Sequence, residues 1–129
     1  MVRPLPLQPG DPVAVVAPSS QLRSEQQRLA ERALRILEKD WGLQVTYTPE
    51  LTRSHLHLAG TDQDRAAEFQ QQLEDEKIRA VFCIRGGYGV ARLLPLLQPD
   101  SWHQQPKWIV GFSDCSLLLH YLQRHTDWL

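Results

Sequence analysis

The stretch Trp108-Ile109-Val110-Gly111-Phe112-Ser113-Asp114-Cys115-Ser116-Leu117-Leu118-Leu119 decides how this chain is read. An apolar run rich in β-branched residues reaches Gly111, a serine follows two residues later, and an apolar-periodic segment runs from Leu117 to Leu122. That is the pattern of strand, tight turn and helix. A serine on such a turn is held with its hydroxyl exposed above the sheet's carboxyl edge, and the next amides lie at a helix N-terminus, where negative charge is favoured. Gly111-Phe112-Ser113 matches the first part of G-x-S-x-G, but Cys115 stands where the second glycine would be. On this spacing Ser113 is either a nucleophile on an elbow or a serine that caps its helix.

Working outward, the same alternation of strand and helix recurs. Val13-Ala14-Val15-Val16-Ala17 is a short continuous apolar run, as a strand buried on both faces of a parallel sheet requires, and it ends at the polar loop Pro18-Ser19-Ser20. Ser24 with Gln27 can form a capping box, and Leu29, Ala30, Ala33, Leu34, Leu37 and Trp41 follow at helical spacing until Gly42 stops them. Residues 43–47 alternate as a second strand, placed near an edge by the polar Gln44 and Thr46. A loop with His55 and His57 leads to Thr61 or Asp62 as the cap of a second helix over 63–75, with Ala66, Ala67, Phe69 and Leu73 as its stripe. Residues 80–84 form a third buried strand that runs into Arg85-Gly86-Gly87-Tyr88-Gly89, whose glycines let the backbone approach a ligand closely. Leu93, Leu94, Leu96 and Leu97 mark a third helix that stops near Pro99. Strand-helix units in succession mean an α/β fold with a mostly parallel sheet. The loops at the strands' carboxyl ends then make the site.

Composition narrows the function classes. The chain has 129 residues, 42% of them hydrophobic and 22% charged, with a formal net charge of -1. One domain with a useful core follows. No basic excess points to nucleic acid or an anionic membrane, and no stretch has the length of a membrane span, so a cytoplasmic location is expected. Cys83 and Cys115 lie in or beside apolar segments and read as buried reduced thiols, with Cys115 next to the elbow also a candidate reactive thiol.

Taken together, four segments resemble the LD-carboxypeptidase family of serine peptidases, which includes muramoyltetrapeptide carboxypeptidases and the microcin C self-immunity proteins. They are residues 10–20, Leu58-Ala59-Gly60-Thr61-Asp62-Gln63-Asp64-Arg65-Ala66, Arg85-Gly86-Gly87-Tyr88-Gly89 and Gly111-Phe112-Ser113-Asp114, in the family's order. Phe112 replaces a more usual tyrosine and Cys115 a usual aliphatic residue. The resemblance implies that residues 1–129 are a flavodoxin-like three-layer sandwich, the N-terminal nucleophile domain of a two-domain enzyme that acts as a homodimer without a cofactor. It implies a Ser-His-Glu triad with Ser113 as nucleophile, and cleavage of the bond between an L-diamino acid and D-alanine in a murein tetrapeptide during peptidoglycan recycling. The backbone N–H of Asp114 and that of Gly86 or Gly87 resemble the family's oxyanion hole. Arg85, Tyr88, Ser19 and Ser20 fall to substrate binding. Arg85 either takes the substrate's terminal carboxylate or holds its loop by ion pairing, and Tyr88 either lines the pocket or packs.

The family's histidine and glutamate belong to a C-terminal domain, and no position in this sequence matches them. His120, seven residues beyond Ser113, lies about 10.5 Å down the helix and out of hydrogen-bond reach. His125 is farther, and His103 falls at the opposite edge. His55 and His57 lie on the correct edge. The side chain of Asp114 is expected to cap the helix. Two other readings stand beside the peptidase. One is a peptidyl-nucleotide hydrolase of the microcin C immunity type. The other is a non-catalytic flavodoxin-like binding module in which Ser19, Ser20 and residues 85–89 cradle a small anion, although neither G-x-G-x-x-G nor the P-loop spacing is present.

Overall fold

Val13, Ala14, Val15 and Val16 are each at most 2% exposed, the burial expected of an apolar run that has a strand on either side and helices above and below. They belong to β1 (Pro12–Val16), which pairs in parallel with β2 (Gln44–Tyr47) and with β3 (Ala80–Cys83); β3 in turn pairs with β4 (Trp108–Val110). The four-stranded sheet has the order β2-β1-β3-β4. These relations come from a computed structural model that describes residues 1–47, 53–102 and 105–128. As its polar residues require, β2 lies at an edge.

Side chains alternate across β1 and β3, and the two faces are covered by different helices. Val13, Val15 and Ala80 pack with Leu34 and Leu37, contributed by α1 (Ser24–Arg35) and the wider turn that extends it over Ile36–Asp40. Ala14, Val16, Val81 and Cys83 pack with Phe69 and Leu73 of α2 (Asp62–Glu74) and with Leu118 and Leu122 of α3 (Ser116–His125). The result is the three-layer α/β sandwich. From β1 the chain goes one way to β2 and the other way to β3, so the loops after β1 and β3 diverge at that point and open a crevice.

Several local expectations shift. The start of α1 is one residue earlier than the Ser24 box: Ser24 is already helical, and the Gln26 side chain accepts from the Arg23 backbone N–H at 2.9 Å. Leu29 and Trp41 are 65% and 53% exposed, so the core stripe is narrower than the leucine spacing implies. Thr61, not Asp62, caps α2, its hydroxyl accepting from the Asp64 N–H at 3.1 Å. Ala67 is exposed, and Arg65 and Glu68 are buried on that helix instead. The leucines near residue 95 form no α-helix. Short 3-10 turns at Val90–Arg92, Leu94–Leu96 and Pro99–Ser101 replace it, because Pro95 and Pro99 lack the N–H that a continuing helix needs. His103 lies outside the described residues.

Candidate active site

Ser113 adopts φ +55°, in the left-handed region that costs a residue with a side chain about 1–2 kcal/mol. It begins a 3-10 turn, Ser113–Cys115, that leads directly into α3, and it is exposed. Backbone held in this way persists only where the surroundings over-determine it. Two close packings do so. A Cβ on Gly111 would meet Cys115 Cβ at 3.0 Å and Cys83 Sγ at 3.5 Å, so β4 and the turn approach through the missing side chain. A Cβ on Gly86 would lie 2.8 Å from Ser113 Cβ and 3.0 Å from its Oγ. The glycine loop therefore lies directly on the serine.

The rest of that loop closes on β1's loop. Gly87, at φ +132°, has room for no side chain, since a Cβ there would fall 1.8 Å from Ser20 Oγ. The Gly86 carbonyl accepts from the Ser20 N–H at 3.4 Å. Arg85 is half-buried and its guanidinium donates to the Gln21 carbonyl. Tyr88 is 82% exposed and Phe112 61%, two aromatic rings presented rather than packed. Ser20 is nearly buried and Ser19 wholly so.

Asp114 does not cap α3. Its carboxylate reaches across the crevice, accepting from Ser19 Oγ at 2.6 Å and from the Val90 N–H at 3.0 Å. Behind it lies Arg65, 0% exposed, whose guanidinium donates to the carbonyls of Gly60 (3.1 Å), Pro18 (2.7 Å) and Gly89 (3.1 Å) and to the Asp62 carboxylate. Burial pulls the Arg65 guanidinium below its usual range, and Asp62 opposes that shift. Asp62 is itself lowered, first by the hydrogen bond from Arg92, with Arg65 adding to it. The role of Arg65 was legible in principle: it precedes Phe69 by four residues and so falls on the apolar stripe of α2, where a lone arginine needs buried acceptors.

The thiols are inward. Cys115 is fully buried and its Sγ donates to the Arg85 carbonyl at 3.4 Å. The neighbouring Cys115 and burial push the Cys83 thiol up, while the hydrogen bond with Cys83 draws Cys115 down against its burial. Among the histidines, His55, His57 and His120 are exposed, and His125 packs its ring on Tyr121 with centroids 4.2 Å apart. The His57 carbonyl accepts from the Gln21 N–H at 2.9 Å, which ties the histidine loop to the loop after β1. No helix among the described residues is long and apolar enough to cross a membrane.

A parallel sheet with a topological switch between β1 and β3, and a serine in the left-handed conformation where β4 turns into a helix, define an α/β domain whose strand-end loops meet at one crevice. Residues 13–129 match the LD-carboxypeptidase N-terminal domain, and the chain belongs to that family. A relative in Synechocystis sp. is 38% identical over 123 residues, covering 92% of this chain and 38% of its own length. The murein tetrapeptide carboxypeptidase of Pseudomonas aeruginosa is 34% identical over 117 residues, covering 88% of this chain and 36% of its own. The fold also matches the wild-type apo structure of the microcin C7 self immunity protein MccF with a TM-score of 0.88 at 24% identity, over 97% of this chain and 37% of that one. This chain thus spans well under half the length of these relatives.

Proposed function

We propose that this chain is the nucleophile domain of a serine LD-carboxypeptidase that releases D-alanine from the L-diamino acid of a murein tetrapeptide. The observation that carries the reading is the contact of Gly86 with Ser113, which is in the left-handed conformation: an amide-bearing loop without side chains abuts an exposed, strained serine. Ser113 Oγ attacks the scissile carbonyl, and the tetrahedral oxyanion is received by the N–H of Asp114 and that of Gly86 or Gly87. Losing one such donor typically lowers turnover about 10²–10³-fold. A histidine takes the serine proton and passes it to the leaving D-alanine amine, a glutamate orients the ring, and water, deprotonated by the same histidine, then cleaves the acyl-serine ester to release the tripeptide and return the proton to Ser113 Oγ. In this reading the histidine and the glutamate belong to a second domain, and residues 1–129 alone do not turn over the tetrapeptide. Tyr88 and Phe112 flank the approach to the serine, and Arg85 keeps its loop in place.

The reading is tested with the native gene product, purified with whatever polypeptide accompanies it and incubated with the murein tetrapeptide. Mass spectrometry should detect the tripeptide and free D-alanine, and Ser113→Ala should abolish both while leaving the circular dichroism spectrum unchanged. Turnover retained in Ser113→Ala removes the serine from the mechanism. The likeness to a microcin C immunity protein is one of fold, and no residue of the described site favours a nucleotide-bearing substrate over the tetrapeptide.

A further inference from the structure

Asp114 and Arg65 carry opposite charges on elements far apart in sequence, and they are joined through one peptide unit and one serine side chain. The Gly89 carbonyl accepts from Arg65 Nη1 at 3.1 Å, while the N–H of the same peptide unit, on Val90, donates to Asp114 Oδ2 at 3.0 Å. Beside it, the Pro18 carbonyl accepts from the same Nη1 at 2.7 Å, and the next residue, Ser19, donates its hydroxyl to the same Oδ2 at 2.6 Å. The first path runs through one peptide unit, whose dipole is aligned with both bonds and strengthens them; the second passes from the Pro18 carbonyl to the side-chain hydroxyl of the next residue.

We infer that Asp114 and Arg65 form a bridged ion pair that fixes the elbow, with Ser19 and Val90 as its two links, and that Ser19 is a positioning residue rather than a substrate contact. Asp114 follows the nucleophile, and its own N–H is the oxyanion donor of the proposed mechanism. Clamping its carboxylate from two loops fixes the plane of the Ser113–Asp114 peptide before substrate arrives, which is how a donor is aimed at the developing charge without reorganisation. Ser19, wholly buried and with its hydroxyl donated to a carboxylate, has its one proton committed. The inference rests on the proposed hydrolysis for its kinetic consequence, but the clamp itself is a property of the chain alone.

Two measurements separate these. Amide hydrogen exchange of the 129-residue chain, followed by NMR, should show the Val90 amide exchanging about 10- to 100-fold faster in Asp114→Ala, with Val15 and Val81 unchanged, since a hydrogen bond to a charged acceptor is lost. Asp114→Asn, which keeps an acceptor oxygen, should recover part of that protection. In the native gene product, Ser19→Ala should lower kcat for D-alanine release about 10-fold, leaving KM within about twofold, because the donor is misaimed only where it meets the transition state. Unchanged Val90 exchange in Asp114→Ala overturns the clamp. A raised KM with kcat kept in Ser19→Ala makes Ser19 a substrate contact and overturns its assignment here. If the unsubstituted gene product releases no D-alanine, the hydrolytic reading fails, and the exchange experiment alone decides the clamp.

Discussion

Gly86→Ala is the perturbation whose consequence follows most directly from the geometry. Gly86 is outside the left-handed region, so the alanine backbone is unstrained and the whole effect comes from contact. The new methyl would lie 2.8 Å from Ser113 Cβ and 3.0 Å from Oγ, with the Phe112 carbonyl at 3.4 Å. Carbon atoms prefer about 3.5–4.0 Å, so the serine and the loop must separate by roughly 1 Å. Overpacking of this kind costs about 1–3 kcal/mol. For a chain of this length 1 kcal/mol is worth about 4 °C, so the thermal midpoint of the 129-residue chain should fall by about 4–11 °C, read by circular dichroism. A misplacement of about 1 Å at a reacting atom typically costs about 100-fold in rate, which the D-alanine assay on the native gene product reads. Gly87→Ala, at φ +132° and 1.8 Å from Ser20 Oγ, should be worse in stability. A Gly86→Ala chain with an unshifted midpoint, in a gene product with full turnover, would refute the claim that this loop and Ser113 share one packed contact.

Three further outcomes follow from the same structure. Ser113→Gly should be more stable than Ser113→Ala by about 0.5–1 kcal/mol, since glycine takes φ +55° without strain, and paired thermal melts check it. Arg65→Met should lower stability by about 3–5 kcal/mol in urea unfolding, because it leaves the carbonyls of Gly60, Pro18 and Gly89 without their guanidinium donor and Asp62 with Arg92 alone. The Arg92 hydrogen bond, with Arg65 beside it, lowers the Asp62 carboxyl; its stabilisation is therefore present above the ordinary carboxylate range and is lost as pH falls through the lowered value. Urea midpoints across the acid range should accordingly fall less steeply in Asp62→Asn than in the unsubstituted chain.

What the sequence discloses and what it hides divide along a physical line. Strands made of unbroken apolar runs, such as Val13 to Val16, need no partner to be recognised, and the turn at Ser113 is marked by its abrupt change of periodicity. The leucines around Pro95 mislead because spacing counts side chains and ignores the missing backbone donor, which turns a helix into 3-10 pieces. Asp114 misleads for the opposite reason. A carboxylate at a helix start has a local partner in its own amides, yet here two donors from distant loops outcompete them, and no local rule sees Ser19 or Val90. Arg65 is legible only as far as its burial, from its place on the apolar stripe of α2; which acceptors it meets is not, since they are carbonyls, which every residue has. The family motifs placed Ser113 and Gly86 in one site, whereas the contact that joins them is tertiary.

The strand order also bears on how the chain folds. No two neighbouring strands are joined by a hairpin: β1 meets β3 with Val13 opposite Ala80, and β3 meets β4 with Ala80 opposite Trp108. Pairing of this kind closes long loops before any contact rewards it, and is slow for that reason. During synthesis β1 emerges first, the most apolar segment of the sheet, and its inner edge stays open until β3 follows. Over that interval the strand is a sticky edge for other nascent chains. The elbow, held by loops from both strands, is then among the last parts to take its shape, so a cell under folding stress would carry chains that are compact before their serine is set.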